Sequence, residues 1–260
     1  MKSVWSYRGF ILASVSREFR LKYQNSLLGV FWTIIHPISM IFIYTVVFSK
    51  IMHGRLPGVN NTLSYSIYLC SGIITWLFFA EIINRCINVF LDNATIIKKL
   101  SFPRLCLPFI VVLGSVSNFL IVLGLFTLFL WISGNFPGWV YLALPIILAV
   151  QIAFAMGFGL LLGILNVFFR DVGQFFMVVL QFWFWMTPIV YSVSILPDQI
   201  QSILKFNPMY PIMNAYHDVF VSHCWPNWSS LMFPITMAVL CCTLALRTFR
   251  KRSDEMVDEL

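Results

Sequence analysis

Few residues of this chain are equipped for chemistry, and their spacing suits binding better than catalysis. His36 is the only ionisable residue well inside an apolar stretch, between Ile35 and Pro37. That setting suits a packed side chain better than a proton-transfer group. Glu81 falls near the end of the next apolar stretch. General acid–base catalysis needs a second titratable group within reach, and no acids or histidines cluster here. The six cysteines, Cys70, Cys86, Cys106, Cys224, Cys241 and Cys242, have no histidine spaced to join them as metal ligands. No Gly-x-x-x-x-Gly-Lys-Ser/Thr run exists, so the chain has no phosphate-binding loop of its own.

What the sequence does carry is a set of contact residues. In the connection 84–106, Ile96, Ile97 and Phe102 stand beside Lys98, Lys99 and Arg104. A solvated loop has little use for three large apolar groups, so this run reads as a docking element. Asn93 or Thr95 is placed to cap a short helix there, and Pro103 to end it. Arg170 and Asp171 are adjacent charges in a second connection, suited equally to a local ion pair and to a partner contact. Aromatic residues make up 17% of the chain. They are densest at 174–192, with Phe175, Phe176, Phe182, Trp183, Phe184, Trp185 and Tyr191. On a helix Phe175, Phe182 and Met186 share one stripe, and Trp185 lies about 60° from Phe182 on the same side.

The elements that position these groups must sit in lipid. Hydrophobic residues are 60% of the 260 and charged residues only 10%, against about 25% charged in a soluble domain. Six apolar stretches, 29–51, 65–83, 107–132, 139–166, 174–192 and 229–249, each approach the ~20 residues that a helix needs to cross a bilayer. Helix is required because lipid offers the backbone no hydrogen bonds. The expected fold is an all-α integral membrane protein: a cytoplasmic interfacial segment 1–28, a six-helix domain 29–249 and a cytoplasmic tail 250–260. Fourteen of the 17 basic residues fall on one side of this topology. The positive-inside rule makes that side cytoplasmic and puts both termini there. The net charge of +7 is thus a topology signal, and nothing calls for nucleic acid.

Three further segments are readable. Residues 4–23 form an interfacial amphipathic helix with Ile11, Leu12, Val15 and Phe19 on one face and cations for lipid phosphates on the other. Its roles as topology anchor and as partner contact are both open. Gly157, Gly159 and Gly163 suit close helix packing. Outside the membrane, 192–228 is too long for a turn. A short helix opens at Pro197, Phe206-Asn207-Pro208-Met209-Tyr210-Pro211 breaks it, and a second runs over 212–221. Such interrupted helices suggest re-entry into the outer leaflet as a gate, with Pro197, Asn207, Pro208 and Tyr210 at its joints.

Four motifs resemble those of type-2 ABC exporter permeases. The run Arg20-Leu-Lys-Tyr-Gln-Asn-Ser-Leu-Leu-Gly-Val-Phe-Trp32 with Pro37 resembles the start of their first span. Ile96-Ile-Lys-Lys-Leu-Ser-Phe-Pro-Arg104 resembles their ATPase-contacting loop, although Leu100-Ser101 replaces the usual Val-Tyr. Phe169-Arg-Asp-Val172 and Phe206-Asn-Pro-Met209 match two more. The first motif is most similar to the branch exporting O-antigen or teichoic acid. The resemblance implies a permease homodimer with two separate ATPase subunits that supply ATP and Mg, and no cofactor on this chain. The membrane would be the bacterial inner membrane and the cargo a lipid-linked polysaccharide. Coupling would then fall to Ile96, Ile97, Lys98, Lys99, Phe102, Arg104, Arg170 and Asp171. Sugar C–H faces pack on rings without charge, so Phe175, Phe182 and Trp185 are expected along the substrate path. Teichoic acid, capsule, or a small lipid or drug are other cargoes for the same machine. A non-energised channel or scaffold, and a lipid-modifying enzyme built on His36, are the other classes.

Overall fold

The computed structural model describes residues 7–23, 31–47, 62–99, 103–253 and 255–259. Among them every regular element is helical. In chain order these are α1 (Arg8–Tyr23), α2 (Trp32–Thr45), α3 (Thr62–Asp92), α4 (Ala94–Lys99) and α5 (Cys106–Ile132). A 3₁₀ turn at Gly138–Ala143 leads into α6 (Leu144–Phe168). Then follow α7 (Asp171–Met186), α8 (Asp198–Leu204), α9 (Met209–His217), α10 (Met232–Arg252) and α11 (Glu255–Glu259). Among the described residues four helices, Leu63–Asp92, Cys106–Ile132, Gly138–Phe168 and Met232–Arg252, are long and apolar enough to cross a membrane. The other two expected spans fall on shorter apolar helices. The flanks of α2, at 24–30 and 48–61, lie outside the described residues, while α7 has 16 residues and is about 24 Å long.

The second expected span closes at residue 83, yet α3 continues unbroken to Asp92 and spans 31 residues. At 1.5 Å per residue it is about 46 Å long, well beyond the ~30 Å hydrocarbon layer. Asn84 and Arg85 lower the hydropathy there, but the extension Asn84–Asp92 stays helical because Cys86, Ile87, Val89 and Phe90 pack in the core. α3 is the hub of the bundle, in contact with α2, α5, α6, α7 and α9. Its apolar window is 83% buried, against 22% for α10, which lies on α6.

The glycines of α6 allow these contacts. A Cβ on Gly157 would sit 2.6 Å from the Cys242 sulfur and 2.9 Å from its amide nitrogen, and one on Gly159 would sit 2.8 Å from the Cys86 Cβ. All three distances are too short for real atoms, so only a bare Cα lets α10 and α3 come this close.

Where α7 ends, the cause is local. Thr187 precedes Pro188, which disfavours helical ψ at Thr187, and its backbone is extended (φ −105°, ψ 133°). The expected span therefore stops being helix at Met186. Carbonyls freed over 188–191 need donors if they lie at membrane depth, and α3 provides them. The Tyr65 hydroxyl donates to Val190 O at 2.8 Å, and the Tyr68 hydroxyl lies 3.0 Å from Pro188 O and 2.8 Å from Tyr191 O.

The two short helices expected after α7 do not behave as a pair. α8 begins after Pro197 as expected and is largely exposed, with only Leu204 buried. α9 is inserted into the bundle against α3, α6 and α10, with Met209, Ile212, Met213, Ala215 and Tyr216 buried. There the Tyr216 hydroxyl donates to Gln151 Oε1 at 2.8 Å, and Gln151 Nε2 donates to Thr75 O at 2.9 Å. This chain of bonds satisfies a fully buried glutamine, which unpaired would cost roughly 1–3 kcal/mol.

Candidate functional site

α1, α4 and α11 lie at one end of the bundle, with the α6–α7 turn. α1 packs on α5 by part of the expected face: Ile11 is buried and Val15 half-buried, while Leu12 is exposed. A polar network also ties it to α3. Glu18 pairs with Arg85 on α3; Arg85 Nη1 lies 3.6 Å from Glu81 and donates to Ser115 Oγ at 3.2 Å. The Ser115 hydroxyl and the Asn118 amide in turn donate to Glu81, each at 3.2 Å. Glu81 and Arg85 are neighbours by helical spacing, so that half of the network was readable. The partner 67 residues away at Glu18 had no local signal.

α4 carries the proposed docking run, and its orientation corrects the sequence reading. Ile97 is buried, at 6% exposure, and belongs to the core. Ile96 is half-buried and Lys98 exposed. On this helix neighbours lie 100° apart, so Ile97 turns inward while Lys98 stays outside. The Lys99 side chain and Phe102 lie outside the described residues. Asn93 does not cap through its side chain, whose amide donates to Val89 O at 2.8 Å; its carbonyl accepts from Ile96 N and Ile97 N. Arg104 is half-buried and donates to the Ser253 carbonyl. It is thus held within the chain and is not a free rim cation. Arg170 and Asp171 are both exposed and form no ion pair with each other among the described residues.

The aromatic stretch of α7 divides into two faces. Inward, Trp183 meets the rings of Trp76, Phe79, Phe154 and Phe158 at centroid distances of 5.4 to 6.4 Å. Outward, Phe175, Phe182 and Trp185 are 63%, 68% and 61% exposed, with Val178 and Met186 beside them. This is the stripe expected from spacing, and it carries no charge.

At the opposite end Asn207 ties the segments together. Its Oδ1 accepts from Trp183 Nε1 at 2.8 Å and from Met209 N at 3.0 Å, and its Nδ2 donates to Thr187 Oγ1 at 2.9 Å. Asn207 therefore fixes the start of α9 to the end of α7. Pro208 stands immediately before α9, half-buried; Tyr210 is half-buried in its first turn, and Pro197 is exposed. His36 is exposed on α2 between two clefts of about 660 and 570 Å³. The smaller reaches Glu81 and Asn118, which are already engaged with one another. Among the described residues no three His, Cys, Asp or Glu side chains gather as a metal site.

Helices long enough to span, an uncharged aromatic face and a buttressed basic end suit a membrane transport subunit. Residues 10–221 match the family model described as ABC-2 type transporter. The chain belongs to that family. Among curated relatives, this ABC-2 chain is 26% identical to the O-antigen export system permease protein RfbA of Myxococcus xanthus, over 100% of this chain and 98% of the relative. It is 28% identical to the protein of the same name from Klebsiella pneumoniae, over 82% of this chain and 80% of the relative. With the polysialic acid transport protein KpsM of Escherichia coli it shares 21% identity, over 93% and 92%. Within the ABC-2 chain, the Glu18–Arg85–Glu81 network and the Arg104–Ser253 tether join segments far apart in the sequence.

Proposed function

We propose that this chain is the membrane subunit of an ATP-driven exporter that carries a lipid-linked O-antigen polysaccharide across the bacterial inner membrane. What carries the reading is the end-to-end correspondence with a permease named for O-antigen export. Two copies form the path, and two separate ATPase subunits bind ATP and Mg. The basic end, with both termini, faces the cytoplasm. Exposed Lys98, Arg170 and Asp171, with half-buried Ile96, meet the ATPase, and its closure moves α3 and α6 through α4. A polysialic acid transport relative keeps a capsule-type polymer as a second reading; the higher identity to the O-antigen permeases favours the first.

The α7 stripe is the proposed polymer surface. Rings bind the C–H faces of sugars weakly and without regard to register, so a sliding polymer is not stalled as it would be by strong hydrogen bonds. Replacing Phe182 and Trp185 together by alanine is expected to slow polymer export roughly tenfold, the loss of two ring contacts of about 0.5–1.5 kcal/mol each. ATPase co-purification is expected to stay at the parent level. If these rings instead face lipid, a well-assembled double mutant exports at the parent rate, and the surface assignment fails.

Orientation has its own test. Cys224 is exposed beyond the α9 end, while Cys70, Cys86 and Cys106 are buried. Membrane-impermeant maleimide applied to intact spheroplasts is expected to label the native chain, and Cys224→Ser to abolish that labelling. Cys86 is buried and cannot serve as a marker for the inner face. Labelling of Cys224 only in inverted vesicles reverses the topology.

A further inference from the structure

The C-terminal segment is not a free tail. α11 packs against both α4 and α6. Its Met256 is 1% exposed and lies in the same apolar cluster as Ile97 of α4, Val167 of α6 and Phe249 of α10. Two guanidinium groups hold the approach to it. The Arg104 guanidinium donates to the Ser253 carbonyl. That of Arg252 lies 5.3 Å over the Phe168 ring, with its Nε 4.0 Å from the Glu255 carboxylate. A five-residue helix has no stability of its own, and neither has the six-residue α4. Each therefore takes its position from what it packs on. For α4 the supports are the end of α3, which it directly follows, and α11.

We propose that α11 is a positioning brace for α4, with Met256 its anchor and Arg104 its tether. The brace holds α4 against the end of α3 and joins it to α6 through α11, so that movement imposed on α4 passes into those helices and is not lost in local rocking. This rests on the reading of α4 as the ATPase contact. A small amphipathic helix held by one buried methionine and one side-chain-to-carbonyl bond suits this task, because it is rigid in place yet separable from the bundle core.

The test uses the full chain with its ATPase subunit. Met256→Asp puts a carboxylate where the methionine is buried, and Met256→Leu conserves the apolar volume. Two readouts are taken. The first is the thiol reactivity of a reporter, Ile97→Cys, whose native position is buried. With Met256→Asp the reporter is expected to react about tenfold faster, as local opening becomes easier. The second is the stimulation of ATP hydrolysis by polymer in complexes with equal ATPase content. It is expected to fall about five- to tenfold, and Met256→Leu is expected to retain both parent values. Should Met256→Asp fail to accumulate, Arg104→Gln removes only the tether and is read in the same two assays with the same expectation. Unchanged reporter protection overturns the brace. A freed reporter with unchanged polymer stimulation overturns the assignment of α4 as the ATPase contact, and leaves the seating of α11 standing.

Discussion

Gly163→Ala is expected to remove most of the folded protein from the membrane. A Cβ at that position falls closer than 3.0 Å to the carbonyl oxygen of Cys86, with the carbonyl carbon 3.3 Å away. The obstacle is α3 backbone, which has no rotamer to change, so the helices must separate along their contact. Helix association in lipid depends on such packing, because there is no hydrophobic drive between helices. Asn166, one turn on, would move too. Its amide donates to Ile87 O at 3.1 Å and its Oδ1 accepts from Gly173 N at 2.8 Å, which links α6 to α3 and to the first turn of α7. Overpacking against backbone belongs at the upper end of its usual range, about 3 kcal/mol, which lowers the folded-to-unfolded ratio by roughly two orders of magnitude. The control is Gly124→Ala on α5, where a Cβ meets nothing within 4 Å. It is expected to be neutral or stabilising by up to about 1 kcal/mol. Thermal unfolding in detergent, with the membrane yield, reads both; equal midpoints for Gly163→Ala and parent would show that α3 and α6 do not approach this closely.

Reversing the exposed charges at the basic end, Lys98→Glu with Arg170→Glu, is expected to uncouple export. Both side chains are exposed, so the reversal leaves the packing intact and the double mutant inserts normally. Against a partner surface complementary to the parent, two misplaced carboxylates cost several kcal/mol. The fraction of permease that co-purifies with the ATPase at 0.15 M salt is expected to fall at least tenfold. Higher salt should narrow the gap, because exposed charges are screened within about 8 Å at that ionic strength. Ile97 is the wrong residue for this test. It is buried, so Ile97→Asp would disturb the seat of α4 before it reached any partner. Parent-level co-purification and polymer-stimulated ATP hydrolysis in the charge-reversed pair would place the ATPase contact elsewhere.

The depth of each helix in lipid also explains where hydropathy succeeded. Cys106–Ile132 and Met232–Arg252 fall within three residues of the expected bounds, because apolar content and lipid solvation are the same physical quantity read twice. At α3 and α7 the two part company. The polar end of α3 remains helical by packing, and α7 is cut short by the Thr187-Pro188 pair, whose freed carbonyls are taken up by tyrosines about 120 residues earlier in the chain.

Local sequence was enough for whatever depends on a residue and its near neighbours. That covers the lipid environment, the helical state, the start of α8 after Pro197, and the exposed ring stripe of α7. The α6 glycines were readable as close-approach sites, but not their partners, Cys86 and Cys242. The same holds for Ile97, whose alternation with Lys98 showed two faces without saying which was inside. Only the tertiary structure decided that Glu18 reaches Arg85, that Arg104 is held by the carbonyl of Ser253, that α9 is inserted while α8 is not, and that the last helix returns to α4. These are contacts between segments distant in the chain. No local propensity encodes them, because each is selected by the burial and hydrogen bonding of the whole bundle.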